Sequence, residues 1–565
     1  MTQASPKPTA PTRHPGRGKG GRSQPKGRQV EPSALAEVAA LLAGRQPRRD
    51  LLIEHLHALQ DAHGHLSARH LRALAEWMRL PMAEVYEVAT FYHNFDVVTD
   101  GEAPPATTIR VCDSLTCAMM GAEQLYQALK DDKDVRVVHG ACMGRCDAAP
   151  VARIGHRFVE RATPEAVRAR VADAGDDPVP DHVGFDAYVA DGGYGLLRAC
   201  QAGEEEVDAL LDRLDAGVLR GLGGAGFPTG RKWRFVRAEP GPRLMAVNAD
   251  ESEPGTFKDR HYLLSDPHRF LEGMLIGAWA VGAPTVYLYL RDEYPVVRRI
   301  LETELVRLAD LKLELPEIVM RRGAGAYICG EESAMLESLE GKRGLPRHKP
   351  PYPSQVGLFG RPTLINNVET LYWVRDVATD PAKFASEGRR GRKGLRSFSV
   401  SGRVRQPGVK LAPAGISARE LIDEYCGGMA EGHAFKGYLP GGASGGVLPA
   451  SMADLPLDFG TLEAHGALIG SAAVIVLSDQ DDVCDAALNL MKFFADESCG
   501  QCTPCRAGCE KSVTLMQSGR WDRPLLEEVS RVMMDASICG LGQAAPNGLL
   551  TAFKYFPEDT KRRTG

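Results

Sequence analysis

The sequence predicts a multidomain α/β protein, and three observations carry that expectation. The chain has 565 residues, enough for about three to five domains at roughly 100–200 residues each. Between residues 185 and 395, helical periodicity alternates with short apolar runs of strand length, as in an α/β sheet domain. Most of the thirteen cysteines fall into two clusters far apart in the chain, so separate units carry the thiol chemistry. With 44% hydrophobic and 25% charged residues, the composition excludes a collagen, a wholly disordered chain and a small disulfide scaffold.

Residues 1–30 hold seven Lys or Arg and no acid, so of the net charge of −5 the remaining residues carry −12 (61 − 73). A nucleic-acid-binding body would show a basic stripe beyond such a tail, and none is expected here. The tail is rich in Pro, Gly and basic residues, and it reads as disordered and solvated or as a docking arm for a partner subunit. A mitochondrial presequence is disfavoured, because its Pro and Gly residues break an amphipathic helix. No apolar h-region precedes the cysteines, which points to metal or redox chemistry rather than disulfides and to a cytoplasmic chain.

Residues 31–104 read as a helical bundle. Val85, Val88, Ala89 and Tyr92 fall at i, i+3, i+4 and i+7 after Pro81, and Ser67 is placed to cap the segment Leu71–Met78. Residues 105–178 change to a thioredoxin-like layer. Thr108–Val111 and Val135–Val138 read as strands around the helix Ala122–Leu129, and Asp173–Pro180 as a linker. Residues 179–395 form the larger α/β domain. Its uncharged run Gly273–Leu290 is long enough to raise a membrane span. The glycines and Pro284 within it favour a buried helix Phe270–Val281, a break and a strand Thr285–Leu290, so no membrane span is expected. Residues 396–480 suggest a small α+β domain, and residues 481–565 a second helical bundle.

The first cysteine cluster is Cys112-x4-Cys117 and, after 24 residues, Cys142-x3-Cys146. Four thiolates suit a [2Fe–2S] cluster or a zinc ion, and spacing alone does not separate the two. The second is Cys499-x2-Cys502-x2-Cys505, three ligands for a [4Fe–4S] cluster. Cys509 and Cys539 compete for the fourth place. Cys539 is favoured, because it lies in a glycine turn that can return over the cluster, and Cys509 reads as a spare thiol on a helix face. Cys200, Cys426 and Cys484 read as buried or incidental thiols.

Three loops read as ligand-binding. Arg220–Trp233 carries five glycines, which let backbone approach a phosphate or a flat ring, with Lys232 as a charge and Phe227 and Phe235 as stacking faces. It departs from both the Rossmann and the P-loop patterns, and its bland alternative is a mobile surface loop. The strand Leu244–Val247 runs into Asn248-Ala-Asp-Glu-Ser-Glu253, whose carboxylates must face water or bond ligand hydroxyls, with a metal site as the rival. Gly330-Glu-Glu opens a helix Ser333–Leu339 whose positive end suits a reduced, anionic cofactor. Asn366 and Asn367 offer amide donors and acceptors.

These loops, together with Glu-Ser-Cys499-Gly-Gln-Cys502-Thr-Pro-Cys505-Arg, resemble the NADH-oxidising flavoprotein subunit of respiratory complex I. Residues 31–175 resemble that complex's [2Fe–2S] partner subunit, fused in front, so the resemblance covers nearly all of the chain. The fusion, the basic tail, Lys26-Gly-Arg-Gln-Val30 and Leu439-Pro-Gly-Gly-Ala-Ser-Gly-Gly446 look most like the β (diaphorase) subunits of soluble NAD-dependent formate dehydrogenases. The resemblance implies FMN held by Gly223, Gly224, Lys232, Asn248, Asp250, Glu251, Gly330, Glu331, Glu332, Asn366 and Asn367. It implies NAD(H) held by Phe227, Phe235, Glu253, Lys349 and Tyr352. Cys112, Cys117, Cys142 and Cys146 would hold [2Fe–2S], and Cys499, Cys502, Cys505 and Cys539 would hold [4Fe–4S]. Residues 396–480 would be a ubiquitin-like β-grasp domain. The implied partner is a catalytic molybdenum or tungsten α subunit with further Fe–S clusters. An equivalent module of a bidirectional hydrogenase or of complex I is the alternative, and a colourless zinc-bearing scaffold the reading from another class.

Overall fold

The computed structural model describes residues 27–99 and 103–564. The expectation for the basic tail therefore falls almost wholly outside the described residues. Helices Pro32–Leu41, Leu52–His63, Ala68–Met78 and Met82–Phe91 form the first bundle. Ser67 caps the third, accepting from the His70 amide at 3.3 Å. Leu71, Leu74, Ala75 and Met78 bury its apolar face, and Val85, Val88 and Ala89 that of the fourth. Polar ties dock this bundle on the central domain: Tyr92 to Ser338 at 2.9 Å, His57 to the Gly323 carbonyl at 2.9 Å and Arg321 to Asp50 at 2.9 Å.

The thioredoxin-like unit holds β1 (Thr107–Cys112), β2 (Val135–Gly140), β3 (Ala152–Ile154) and β4 (Arg157–Val159) in the order β2-β1-β3-β4. β1 and β2 run parallel, joined by helix Ala122–Leu129, and the other pairs are antiparallel.

The central sheet is wholly parallel, made of β5 (Leu244–Ala249), β6 (Thr285–Leu290), β7 (Glu317–Arg322) and β8 (Thr363–Asn367) in the order β8-β5-β6-β7. The chain runs outward from β5 to β7 and then returns beyond β5 for β8. The direction of winding therefore reverses between β5 and β8, and a crevice opens at their carboxyl ends, where open α/β sheets bind ligands. Helix Pro267–Val281 is buried almost all round, which explains its uncharged sequence. Gly273 in it admits the chain opposite, because a Cβ there would stand 1.8 Å from the Leu371 carbonyl oxygen. Among the described residues no helix is long and apolar enough to cross a membrane.

The fourth unit holds β9 (Leu395–Gly402), β10 (Gly408–Pro413), β11 (Phe435–Leu439), β12 (Leu448–Pro449) and β13 (Ala473–Ser478). Their order β10-β9-β13-β11-β12, with β9 and β13 parallel at the centre, is the 2-1-5-3-4 arrangement of a β-grasp sheet. Helices Val483–Asp496, Thr503–Gln517, Arg523–Ala536, Gly540–Ala544, Asn547–Tyr555 and Pro557–Thr564 close the chain. The fold is thus multidomain α/β with a C-terminal helical bundle, as expected.

Candidate functional site

The crevice between β5 and β8 deepens into a cavity of about 550 Å³, within the range of cofactor sites. Asn248 and Asn367, paired in register at the ends of the two strands, form its floor. Gly223 and Gly224 cover one side. A Cβ on Gly223 would crowd the Asn367 Cβ at 3.0 Å, and Gly224 takes φ +127°, a conformation that favours glycine. Asp250, Glu251, Glu253, Gly330 and Glu331 add to the wall from the central domain.

The side chains divide by what they have left to offer. Asp250 Oδ1 accepts from Ser252 at 2.6 Å, but its Oδ2 is buried without a partner. Burial pushes the Asp250 carboxyl up to about 7. A buried acceptor of this kind is costly until a donor arrives, and flavin ribityl hydroxyls are such donors. Together with the glycine cradle, this donor-seeking carboxylate fits the phosphate-and-polyol chemistry of FMN.

Several expected contacts are taken up inside the protein instead. The Glu251 carboxylate accepts from the Asp259 and Arg260 amides at 2.8 and 3.0 Å and from the Tyr294 hydroxyl at 2.8 Å. It is thus bonded to the N-terminus of the helix Lys258–Ser265 while it lines the cavity. Asn366 Oδ1 accepts from Trp233 Nε1 at 2.9 Å, and only its neighbour Asn367 lines the cavity. The helix end Glu332–Leu339 is not open to an anionic cofactor either. Glu331, its N-cap, accepts from the Ser333 and Ala334 amides, each at 2.9 Å. A carboxylate tethered one residue away fills that positive end before a ligand can.

Lys232 and Lys349 converge on this same end, at 3.4 and 2.8 Å from Glu332, and Lys349 also reaches Glu331 at 2.9 Å. Phe227 and Phe235 stand 6.1 Å apart, 39% and 46% exposed, with Arg231 over both rings. Tyr352, on the loop that carries Lys349, is 54% exposed. Large rings left this open are stacking surfaces in search of a ligand. Glu253 lies within the cavity itself, accepting from the Ser444 amide at 2.8 Å and from the Tyr327 hydroxyl.

Sequence reasoning missed a share of the wall. Thr256, Lys258 and Asp259 line it, as do Gly441, Ser444, Leu468, Gly470 and Ser471 of the β-grasp unit and Met534, Gly540, Leu541 and Asn547 of the last bundle. The glycine run Gly441–Gly446 was the one available signal for the β-grasp contribution. Lys258 is fully buried and pairs with Asp259 and Glu369, each at 2.9 Å.

Cys499, Cys502, Cys505 and Cys539 line one small cavity with Ile328, Pro346, Ser498, Ile538 and Leu541. Cys509 is fully buried on helix Thr503–Gln517 and does not line it. Its thiol hydrogen-bonds Cys505 and draws that thiol down to about 7. Cys112, Cys117, Cys142 and Cys146 are all buried, with 3.6 Å between the Cys142 and Cys146 sulfurs. Hydrogen bonds from the Cys112 and Cys146 thiols hold Cys142 well below the ordinary thiol range. Tetrahedral zinc with Zn–S near 2.3 Å places its sulfurs about 3.8 Å apart. Among the described residues no three cysteine sulfurs lie within 4.8 Å of one another. Both quartets gather thiolates of the kind an iron–sulfur cluster takes.

Comparison with known proteins agrees with this geometry. The family model described as the Nuo51 FMN-binding domain matches residues 215–376. That of the thioredoxin-like [2Fe-2S] ferredoxin matches residues 38–174. The NADH-ubiquinone oxidoreductase-F iron-sulfur binding region matches residues 485–563. An NADH-quinone oxidoreductase F-type subunit of Rhizobium meliloti is 42% identical over 395 residues, 67% of this chain and 94% of that protein. The mitochondrial NADH dehydrogenase [ubiquinone] flavoprotein 1 of Dictyostelium discoideum is 41% identical over 378 residues, 62% of this chain and 78% of that one. A crystal structure of an NAD⁺-reducing [NiFe]-hydrogenase in the H₂-reduced state contains a chain of 32% identity and TM-score 0.80, covering 92% of this chain and 94% of its own.

Proposed function

The chain belongs to the family of NADH-oxidising flavoprotein subunits of NADH-quinone oxidoreductase, with FMN, [2Fe–2S] and [4Fe–4S] as its cofactors, and from that premise we propose that it is the diaphorase subunit of an NAD-dependent formate dehydrogenase. The observation that carries the diaphorase reading is a shared wall. Ile328 and Leu541 line both the large cavity and the small cysteine cavity, so one layer of apolar side chains separates them. When bound, FMN supplies the exchange between two-electron and one-electron chemistry that neither a nicotinamide nor a cluster performs alone.

The chain's own residues bind, orient and exclude water. Asp250, Asn248 and the Gly223–Gly224 backbone would hold the flavin, with Lys232 and Asn367 beside them. Phe227, Phe235 and Tyr352 would stack the dinucleotide, and Lys349 would offer a charge to its phosphates. Glu253 would sit near a ribose, where a carboxylate repels a 2′-phosphate and favours NAD over NADP. Leu468 and Leu541 add apolar lining, which would limit water at the reacting ring. Hydride transfer needs no side-chain acid or base, so none is assigned.

The formate assignment rests on the resemblance of Lys26–Val30, Leu439–Gly446 and the fused architecture to that family's β subunits. The fold of the NAD⁺-reducing hydrogenase chain, shared over the whole fusion, favours a hydrogenase module as the second reading. Co-purification with the native partner, metal analysis and a substrate test decide between them. Molybdenum or tungsten with formate-dependent NAD⁺ reduction is expected; nickel with hydrogen-dependent reduction would overturn the formate assignment. Failure to reduce an artificial dye with NADH would overturn the diaphorase itself.

A further inference from the structure

Strand β6 runs into Arg291-Asp-Glu-Tyr294, and all four side chains are buried, from 1% to 7% exposed. Nothing in the cofactor assignment uses them. Their contacts run in two directions at once. Arg291 Nη2 donates to the Cys142 carbonyl at 2.6 Å, and Nη1 to the Glu251 carbonyl. The same guanidinium thus grips the cysteine loop 142–146 on one side and the wall of the large cavity on the other. Its Nε donates to Glu293 at 3.1 Å. Tyr294 repeats the pattern. Its hydroxyl donates to Glu251 Oε2 at 2.8 Å, and its ring lies against Gly144, where a Cβ would stand 2.4 Å from that hydroxyl. Asp292 pairs with Arg322 at 2.5 Å and faces Arg153 of the thioredoxin-like unit at 3.7 Å.

We propose that the Arg291–Tyr294 turn couples the two cofactor sites, with Arg291 as a positioning residue that locks the cysteine loop to the flavin wall and raises the potential of the [2Fe–2S] centre. This rests on the cofactor assignment above. The physical reason is the placement of one permanent charge. A guanidinium does not deprotonate in proteins, and in a buried site its field is poorly screened. Reduction adds one electron to the cluster, and a cation against the Cys142 main chain stabilises the reduced form more than the oxidised one. Glu293 offsets this in part, as the anion bonded at Nε, while Nη1 and Nη2 both bond neutral carbonyls. Hydrogen bonding and charge near the ligands are established levers on cluster potential.

The test is an anaerobic redox titration of the purified complex, following the [2Fe–2S] signal by electron paramagnetic resonance, for the native protein, Arg291→Gln and Arg291→Lys. At the native midpoint potential, Arg291→Gln is expected to lower the reduced-to-oxidised ratio about tenfold, which for a one-electron couple is about 59 mV. Arg291→Lys keeps the charge but not the two-sided grip. Its potential is expected to stay within about threefold of native, while flavin retention through gel filtration falls, because the Glu251 carbonyl loses its fixed donor. An unchanged potential in Arg291→Gln would overturn the proposal. Should the Gln variant not assemble its cluster, a tenfold fall in Arg291→Lys would do the same. A native protein without a [2Fe–2S] signal would instead strike the cysteine assignment, which keeps the two failures distinct.

Discussion

Replacing Asp250 by Ala should weaken FMN binding by one to two orders of magnitude while leaving the fold intact. Asp250 Oδ2 is buried and unpartnered, and its Oδ1 is anchored by Ser252 at 2.6 Å. A hydrogen bond to a charged group contributes about 1.5–3 kcal/mol. At 1.4 kcal/mol per tenfold, one ligand hydroxyl on Oδ2 corresponds to about 10- to 140-fold in Kd. The assay is a titration of flavin-depleted protein with FMN, read from the quenching of flavin fluorescence. The carboxyl also sets a pH dependence. Burial, the largest cause, raises it to about 7, so without flavin the folded chain holds a proton that the unfolded chain releases near pH 4. Stability of the flavin-free protein must then fall as pH rises from about 4 to about 7, and Asp250→Asn should flatten part of that slope. Ligand hydroxyls donate to the anion, so native FMN affinity should rise over the upper part of the same window. A Kd for Asp250→Ala within about threefold of native would refute the reasoning, because no ligand donor would then be meeting this oxygen.

Two further substitutions test the iron site and the core. Cys539→Ser should lose the [4Fe–4S] signal and about four of roughly six irons, whereas Cys509→Ala, which removes a thiol outside the cavity, should keep them; iron analysis with paramagnetic resonance reads both, and the reverse pattern would reassign the fourth ligand. Lys258→Met leaves Asp259 and Glu369 buried without their shared cation, so chemical denaturation should show a loss of about 3–5 kcal/mol, and a loss under about 1 kcal/mol would mean those carboxyls are already neutral.

The sequence alone determined what depends on neighbours close along the chain. The i, i+3, i+4, i+7 apolar spacing of Val85–Tyr92 is a helix face wherever it packs, and the Ser67 oxygen finds the His70 amide because three residues of helix place it there. The uncharged run 273–290 resolved into helix and strand because Gly282 and Pro284 interrupt it. Cysteine spacing likewise marked Cys112–Cys146 and Cys499–Cys505 as clusters, and the glycine turn at residue 540 pointed to Cys539, which lines the same small cavity as the second.

Tertiary structure decided how the same residues are spent. Glu251 and Glu331 were legible as carboxylates beside a ligand, but the amides of Asp259 and Arg260 claim one and those of Ser333 and Ala334 the other. Trp233 claims Asn366 from 133 residues away. No local rule places Gly441 or Leu541 in the wall of a cavity that β5 and β8 begin, or sets Arg291 against a carbonyl 149 residues earlier. Such pairings are fixed by how packed faces meet, and periodicity along the chain specifies a face without specifying its partner.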